Sequence, residues 1–264
     1  IPTANSKHNT KLTDYIRENN FIRDKAHVHH VDFLEQYGFL EKGIKGHTDN
    51  TISTAILDMQ QLYNLPLTGI LDEMTSAAMR MPRCGQSDHQ HSRRMRIFKH
   101  HRGKRYSLEG SKWHKRTVTY KISHYSRKVD YLKTDALVKE AFGMWSKVIP
   151  LDFVDLGYFH RGPVDVEIFW AQGYHGDRFP FKGVGGVLAH CFYPRYGGDA
   201  HFDDAEHWVI GDGPYGTINM IQVMAHEFGH GIGLYHSSDK HSIMQPFYAG
   251  YDPNFKLGRD DILA

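Results

Sequence analysis

The stretch His226-Glu227-Phe228-Gly229-His230-Gly231-Ile232-Gly233-Leu234-Tyr235-His236 holds the residue types of a metal-centred acid–base site. Histidines four apart on a helix project from one face, so their ring nitrogens can meet one ion at about 2.0–2.1 Å, the usual Zn–N distance. Gly233 can adopt a positive φ that strains other residues, which lets the chain reverse and bring His236 back as a third ligand. Three neutral imidazoles leave Zn²⁺ its full charge and one open position. Glu227, beside the first ligand, is placed to take a proton from water held there. The bland alternative is a set of helix-face histidines in a chain that has 20 of them. Three histidines, a glutamate and a glycine at these joint spacings argue against it.

The elements that would position these residues fall into two pieces. The chain has 264 residues, 40% hydrophobic and 23% charged, enough for one large domain or two. No apolar run approaches the roughly 18–20 residues of a membrane-spanning helix. Because the chain starts at Ile1, an upstream segment such as a signal peptide is expected to have been removed. The net charge of +2 divides unevenly: residues 1–88 carry −2, residues 89–105 carry +7 and residues 106–264 carry −3. Two mildly acidic pieces are therefore joined by a basic linker.

In the first piece, residues 1–30 read as a polar start with one helix at most. VDFLEQYGFL reads as a helix stopped near Gly38 or Gly43. TISTAILDMQQLYNL spaces Ile52, Ile56, Met59, Leu62 and Tyr63 as a second helix. A Gly69 turn leads to a third, carrying Leu71, Met74, Ala78 and Met81, so the piece reads as a three-helix bundle. In the second piece, TVTYKIS and VDVEIFW alternate like strands. Between them Leu137, Ala141, Met144, Trp145 and Val148 share a helix face. Strand, helix, strand, glycine-rich loops, strand and helix make an α+β or α/β sheet domain.

HEFGHGIGLYH followed by Met244 in SIMQP resembles the metzincin signature and its Met-turn, in the form used by matrix metalloproteinases, and the resemblance runs over residues 31–264. It implies an α+β fold: a three-helix propeptide (1–88), an activation linker (89–105), and a catalytic domain (106–264) with a twisted five-stranded mixed sheet and three helices. Met244 would floor the zinc without binding it. The implied activity is zinc-dependent peptide-bond hydrolysis with Glu227 as catalytic base, and a non-catalytic zinc-stabilised binding protein is the competing class. The bundle also resembles peptidoglycan-binding-like modules, which leaves a glycan-binding role open beside that of latch scaffold.

Pro82-Arg83-Cys84-Gly85-Gln86-Ser87-Asp88 resembles the family's cysteine switch, with Cys84 as fourth zinc ligand in a latent form and an Arg83–Asp88 ion pair holding the loop. Gln86-Ser87 replaces the usual Val-Pro, a departure expected to loosen it. A Cys84–Cys191 disulfide is the alternative for the thiol, and Cys191 otherwise reads as a buried free thiol. Arg102-Gly103-Lys104-Arg105 resembles a furin-type convertase site, so cleavage between Arg105 and Tyr106 would activate the chain. A polyanion-binding patch is the alternative for these basic residues. After cleavage the Tyr106 ammonium would pair with Asp260.

The resemblance further implies a structural zinc on His175, Asp177, His190 and His201, making two Zn²⁺ per chain. It places Ca²⁺ on Asp203 and Glu206 and a second on Asp165 and Asp199. Lys182 replaces the usual aspartate at the first calcium site, where it is expected to weaken binding and to pair with Asp203 or Glu206 itself. Gly186, Val187, Leu188 and Ala189 would form the edge that pairs with an extended substrate. Gln222, Pro246, Phe247 and Tyr248 would line the pocket for the residue after the cut bond. Implied partners are extracellular-matrix or cell-surface proteins, collagen included, a furin-like convertase and tissue metalloproteinase inhibitors. No nucleic acid is implied. Secretion follows from the same resemblance, and a hinge, hemopexin-like domain or membrane anchor beyond residue 264 stays open.

Overall fold

The computed structural model describes residues 30–44, 46–88 and 108–264. The polar start, the basic linker and the Arg105–Tyr106 bond lie outside the described residues. The chain divides into two compact units. Residues 82–86 belong to the second, with 108–264, and the other described residues to the first.

The first unit has helices α1 (His30–Gln36), α2 (Asp49–Leu62) and α3 (Glu73–Ala78). Gly38, at φ 84°, follows the end of α1. Thr48 caps α2 by accepting from the Thr51 N–H at 3.2 Å, and Asp72 caps α3 by accepting from Thr75 at 2.8 Å. Leu34, Ile56, Met59, Tyr63, Ala78 and Met81 are buried. The third helix is shorter than its apolar pattern predicts, and Leu71 is exposed because it precedes the Asp72 cap. A polar hub fixes that turn. The buried Gln60 amide accepts from the Thr68 and Gly69 N–H groups and donates to Thr68, Ile70 and Thr75.

The second unit is built on a six-stranded sheet of β1 (Arg83–Cys84), β2 (Thr117–His124), β3 (Asp152–Asp155), β4 (Val166–Ala171), β5 (Val187–Cys191) and β6 (Ala200–Asp203). Its order is β1-β5-β6-β4-β2-β3. The β5–β6 pair is antiparallel and every other pair parallel. The resemblance implies five strands, and this sheet has six. The sixth, β1, comes from the latch sequence, which pairs Arg83 with Val187 and Cys84 with Ala189. Two residues are too few to show a strand period, so the sequence pattern does not reveal it.

Val118, Tyr120, Ile122, Ile168, Trp170 and Phe202 form the sheet side of a core shared with α4 (Tyr131–Ser146) and α5 (Met220–Gly231). Phe142 of α4 stacks on Phe228 of α5 with ring centroids 3.9 Å apart, and the Trp145 indole N–H donates to the Ala225 carbonyl at 2.9 Å. These contacts fix the roll of α5, and so the direction in which its histidines project. A short pair, β7 (Trp208–Val209) with β8 (Ile218–Asn219), precedes α5, and α6 (Arg259–Leu263) closes the chain.

Candidate metal centres and latch

His226 and His230 lie one turn apart on α5. Gly233 takes φ +111°, and a Cβ there would overlap the Ser111 carbonyl, so the reversal that delivers His236 requires glycine. His226 Nδ1 lies 2.7 Å from the Ile243 carbonyl, and His230 Nδ1 lies 2.7 Å from that of Leu234. A carbonyl only accepts, so both Nδ1 atoms carry the proton and both Nε2 atoms present lone pairs. His230 Nε2 stands 3.2 Å from His236 Nε2 and 3.4 Å from Cys84 Sγ. Cys84, His226, His230 and His236 each offer a ligand atom within 4.8 Å of the others, and all four residues are buried. Ring nitrogens and a sulfur converging in a dry site fit a soft-to-borderline cation such as Zn²⁺.

Glu227 is fully buried, and burial pushes its carboxyl up to about 8. Its Oε2 accepts from the Cys84 thiol at 3.5 Å, while Oε1 has no hydrogen-bond partner among the described residues. Burial first, and the Glu227 charge second, push the Cys84 thiol well above its usual value. Burial, followed by His236 and His226, drives His230 well below its own, which keeps the ring neutral and able to ligate. Met244, buried in the turn after His236, packs against Gly229, where a Cβ would overlap its sulfur. The methionine thus lies under the histidine helix, and Gly229 is what lets it approach.

Four backbone hydrogen bonds seat the latch. Arg83 N–H donates to Gly186 (3.1 Å), Cys84 to Pro246 (2.9 Å) and Gly85 to Ala189 (2.8 Å), while Tyr248 donates to Pro82 (3.0 Å). Residues 186–189, expected to pair with a substrate backbone, and residues 246–248, expected to line the pocket after the cut bond, thus flank the latch on both sides. Gln86 counters the expected loosening, because its amide donates to the Cys191 carbonyl. The sequence gives this residue no period or spacing that would mark it as an anchor. Arg83 is buried, donates to the Cys84 carbonyl at 3.0 Å and lies 5.1 Å over the Phe247 ring. Asp88, in the first unit, accepts from the Tyr63 hydroxyl. Both cysteines are free thiols, so the disulfide alternative fails, and Cys191 is buried as expected.

The second cluster gathers around one carboxylate oxygen. Asp177 Oδ2 lies 3.0 Å from His175 Nε2, 2.8 Å from His190 Nε2 and 2.8 Å from His201 Nδ1. The four ligand atoms again lie within 4.8 Å of one another. Burial would raise the Asp177 carboxyl, but the His190 hydrogen bond and neighbouring imidazoles hold it well below the usual range. Burial and His190 lower His201 to about 4. Three imidazoles and one carboxylate complete a tetrahedral donor set, which suits a closed structural site.

The expected Lys182 pairing is not formed. Lys182 is exposed and makes no ion pair with Asp203 or Glu206 among the described residues. The two carboxylates accept backbone N–H groups instead, Asp203 Oδ2 from Gly183 at 3.2 Å and Glu206 Oε1 from Gly185 at 2.7 Å. Asp199 Oδ1 accepts from the Glu167 N–H at 2.7 Å, and the Lys115 ammonium sits on Asp165. Gln222 bridges to the 250–252 segment, donating to Gly250 at 3.1 Å and accepting from Asp252 at 2.8 Å. Asp260 accepts from the Ser237 hydroxyl at 2.6 Å, whereas Tyr106 lies outside the described residues.

A mixed sheet backed by a helix with two histidines, a glycine-turned third and a methionine beneath is of metzincin type. The matrixin family profile matches residues 112–264, and the chain belongs to that family. A putative peptidoglycan binding domain profile matches residues 32–79. Human matrix metalloproteinase-15 is 37% identical over 251 residues, covering 90% of this chain and 37% of that protein. Human matrilysin is 38% identical over 236 residues, covering 88% of this chain and 80% of that protein. Rat macrophage metalloelastase is 40% identical over 216 residues, covering 81% and 43%. The chain spans about two fifths of the length of matrix metalloproteinases 15 and 16.

Proposed function

We propose that this chain is a latent zinc-dependent endopeptidase of the matrix metalloproteinase type, with one catalytic and one structural zinc. The observation that carries the reading is the convergence of Cys84 with three buried imidazoles beside a buried glutamate. Zinc, when bound, supplies a Lewis acid that polarises a scissile carbonyl and acidifies water. The residues around it do the rest. Glu227 holds and moves the proton: its raised affinity suits it to accept one from water and return it to the leaving amine. Cys84 excludes water from the position where hydrolysis would begin. Burial keeps the Cys84 thiol protonated, and Cys84 with the three histidines would hold the ion that favours its thiolate.

The edge of β5 and residues 246–248 would hold a substrate in extended form once the latch leaves, by strand addition. Convertase cleavage after Arg105 would release the latch, and removal of residues 1–105 leaves the zinc unit. The relatives' names support extracellular-matrix proteins as the substrate class, and secretion and inhibition by tissue metalloproteinase inhibitors are proposed on the family resemblance. Described helices include none long and apolar enough to cross a membrane.

The test joins processing to turnover. The convertase-treated chain should begin at Tyr106 and hydrolyse a quenched-fluorescent peptide. Glu227→Gln should lose about 10²–10⁴-fold in kcat, the usual weight of a general base, while keeping two zincs. A processed chain that binds zinc but hydrolyses no peptide, or a Glu227→Gln variant with full turnover, overturns the proposal.

A further inference from the structure

The fold family implies calcium at two places in the second unit, and the donor sets at both are poor fits for it. Calcium takes 6–8 oxygen ligands, several of them usually carboxylate. At the first place only Asp203 and Glu206 supply carboxylates, both buried. The facing loop turns the N–H groups of Gly183 and Gly185 toward them, and Ala205 N–H donates to Asp203 Oδ1 at 2.8 Å. At the second place Asp165 is filled. Its Oδ1 takes the Lys115 ammonium, and its Oδ2 takes the Thr119 N–H and hydroxyl, each at 2.8 Å.

Buried carboxylates without a counter-charge are costly. The turn carrying Asp203 and Glu206 has one, from an unexpected direction. The Lys128 ammonium lies 2.5 Å from the Ala205 carbonyl and 2.7 Å from the Glu206 carbonyl. It donates to two backbone oxygens of that turn, as an ion bridging carbonyls would. Its own backbone is fixed to the same turn: Lys128 N–H donates to Ser126 Oγ at 3.1 Å, and Ser126 Oγ donates to Asp204 at 2.7 Å. Burial raises both carboxyls, Glu206 to about 7, and the Lys128 charge offsets part of that rise. Asp204 acts on Asp203 in the opposite sense, as Asp203 does on Glu206.

We propose that Lys128 and Lys115 are built-in cations that take over calcium's structural role, so that the second unit is held together without calcium. Lys128 clamps the 203–206 turn, on which the loop leading into β5 hangs through Gly183 and Gly185. Lys115 ties the segment before β2 to Asp165 before β4. The inference concerns stability and does not depend on the peptidase reading.

Thermal unfolding of the full chain with zinc held constant tests it, together with equilibrium dialysis against radioactive calcium. A calcium site filled to a hundred times its Kd should raise Tm of a unit this size by roughly 5–10 °C. The wild-type chain should shift by less than about 1 °C between zero and 10 mM calcium and retain none on dialysis. Lys128→Met should melt several degrees lower, with Lys128→Arg recovering most of the loss. A rise of 5 °C or more with calcium in the wild type, or stoichiometric calcium retention, overturns the proposal. So does a Lys128→Met chain that melts with the wild type. Should Lys128→Met not fold, the wild-type titration and dialysis decide alone.

Discussion

The side-chain amide of Gln86 donates to the backbone carbonyl of Cys191, on the strand that would otherwise hold substrate. The N–H of the same residue meets Cys84 Sγ at 3.3 Å. One residue therefore fixes both the strand and the sulfur, at a position where loss of a stiff Val-Pro pair would otherwise free the loop. A buried hydrogen bond of about 1 kcal/mol corresponds to roughly a 5-fold change in an equilibrium. Gln86→Val keeps the backbone contact and loses the amide. The unprocessed variant should show about 5-fold more residual peptidase activity than the unprocessed wild type, with the processed enzymes indistinguishable. Equal leakage from the two unprocessed chains would remove Gln86 from the latch.

Asp177 supplies the only anionic donor in its cluster, and its low proton affinity keeps it charged throughout the physiological range. Asp177→Asn leaves three imidazoles and no anionic donor for a divalent cation. Metal analysis after dialysis should fall from two zincs per chain to one, the remaining ion staying with His226, His230 and His236. Because the loop from Asp177 feeds β5, KM for a peptide should rise more than kcat falls. Two zincs retained after dialysis would show that the carboxylate is dispensable.

Gln222 spends its amide on Gly250 and Asp252, so its polarity is largely consumed before any substrate arrives. The pocket it shares with Phe247 and Tyr248 should therefore prefer a medium or long apolar side chain after the cut bond. Peptide-library profiling would show Leu or Met favoured, and Gln222→Leu should broaden the profile by releasing the 250–252 segment. A charged optimum at that substrate position sinks the assignment.

The zinc helix and its glycine turn are legible in the sequence because their geometry is local: a four-residue spacing sets the face, and Gly233 sets the reversal. Strands β2 and β4 are legible for the same reason, since Val118, Tyr120 and Ile122 alternate into the core. Contacts made by topology are not. Strand β1 is two residues long, and only its seat on β5 makes it a strand. Lys182 stands where the resemblance implies a calcium-binding aspartate, yet the ammonium on that turn belongs to Lys128, 77 residues from its partner Ala205. Sequence reveals that charge must be balanced, and the fold decides by which residue.

Asp261 joins the Met-turn to the last helix, accepting from the Ser242 hydroxyl, from Ile243 N–H at 3.0 Å and from Gly258 N–H at 2.6 Å. Burial raises its carboxyl above the ordinary value of 3.8, partly countered by those donors. The folded chain therefore holds this proton to higher pH than the unfolded chain does. Stability rises with pH only where the unfolded state binds more protons, so this group makes stability fall as pH climbs from 3.8 through the folded value. Asp261→Asn removes the titration and disturbs the three acceptor contacts at every pH. The melting difference between wild type and variant should be largest near the acid end and narrow toward neutrality, and comparing the two cancels the histidines' own titration. Pairs of thermal melts from pH 4 to 7.5 with zinc held constant give the answer. A gap that widens toward neutral pH would mean that the carboxylate, not the neutral acid, is the form the fold prefers.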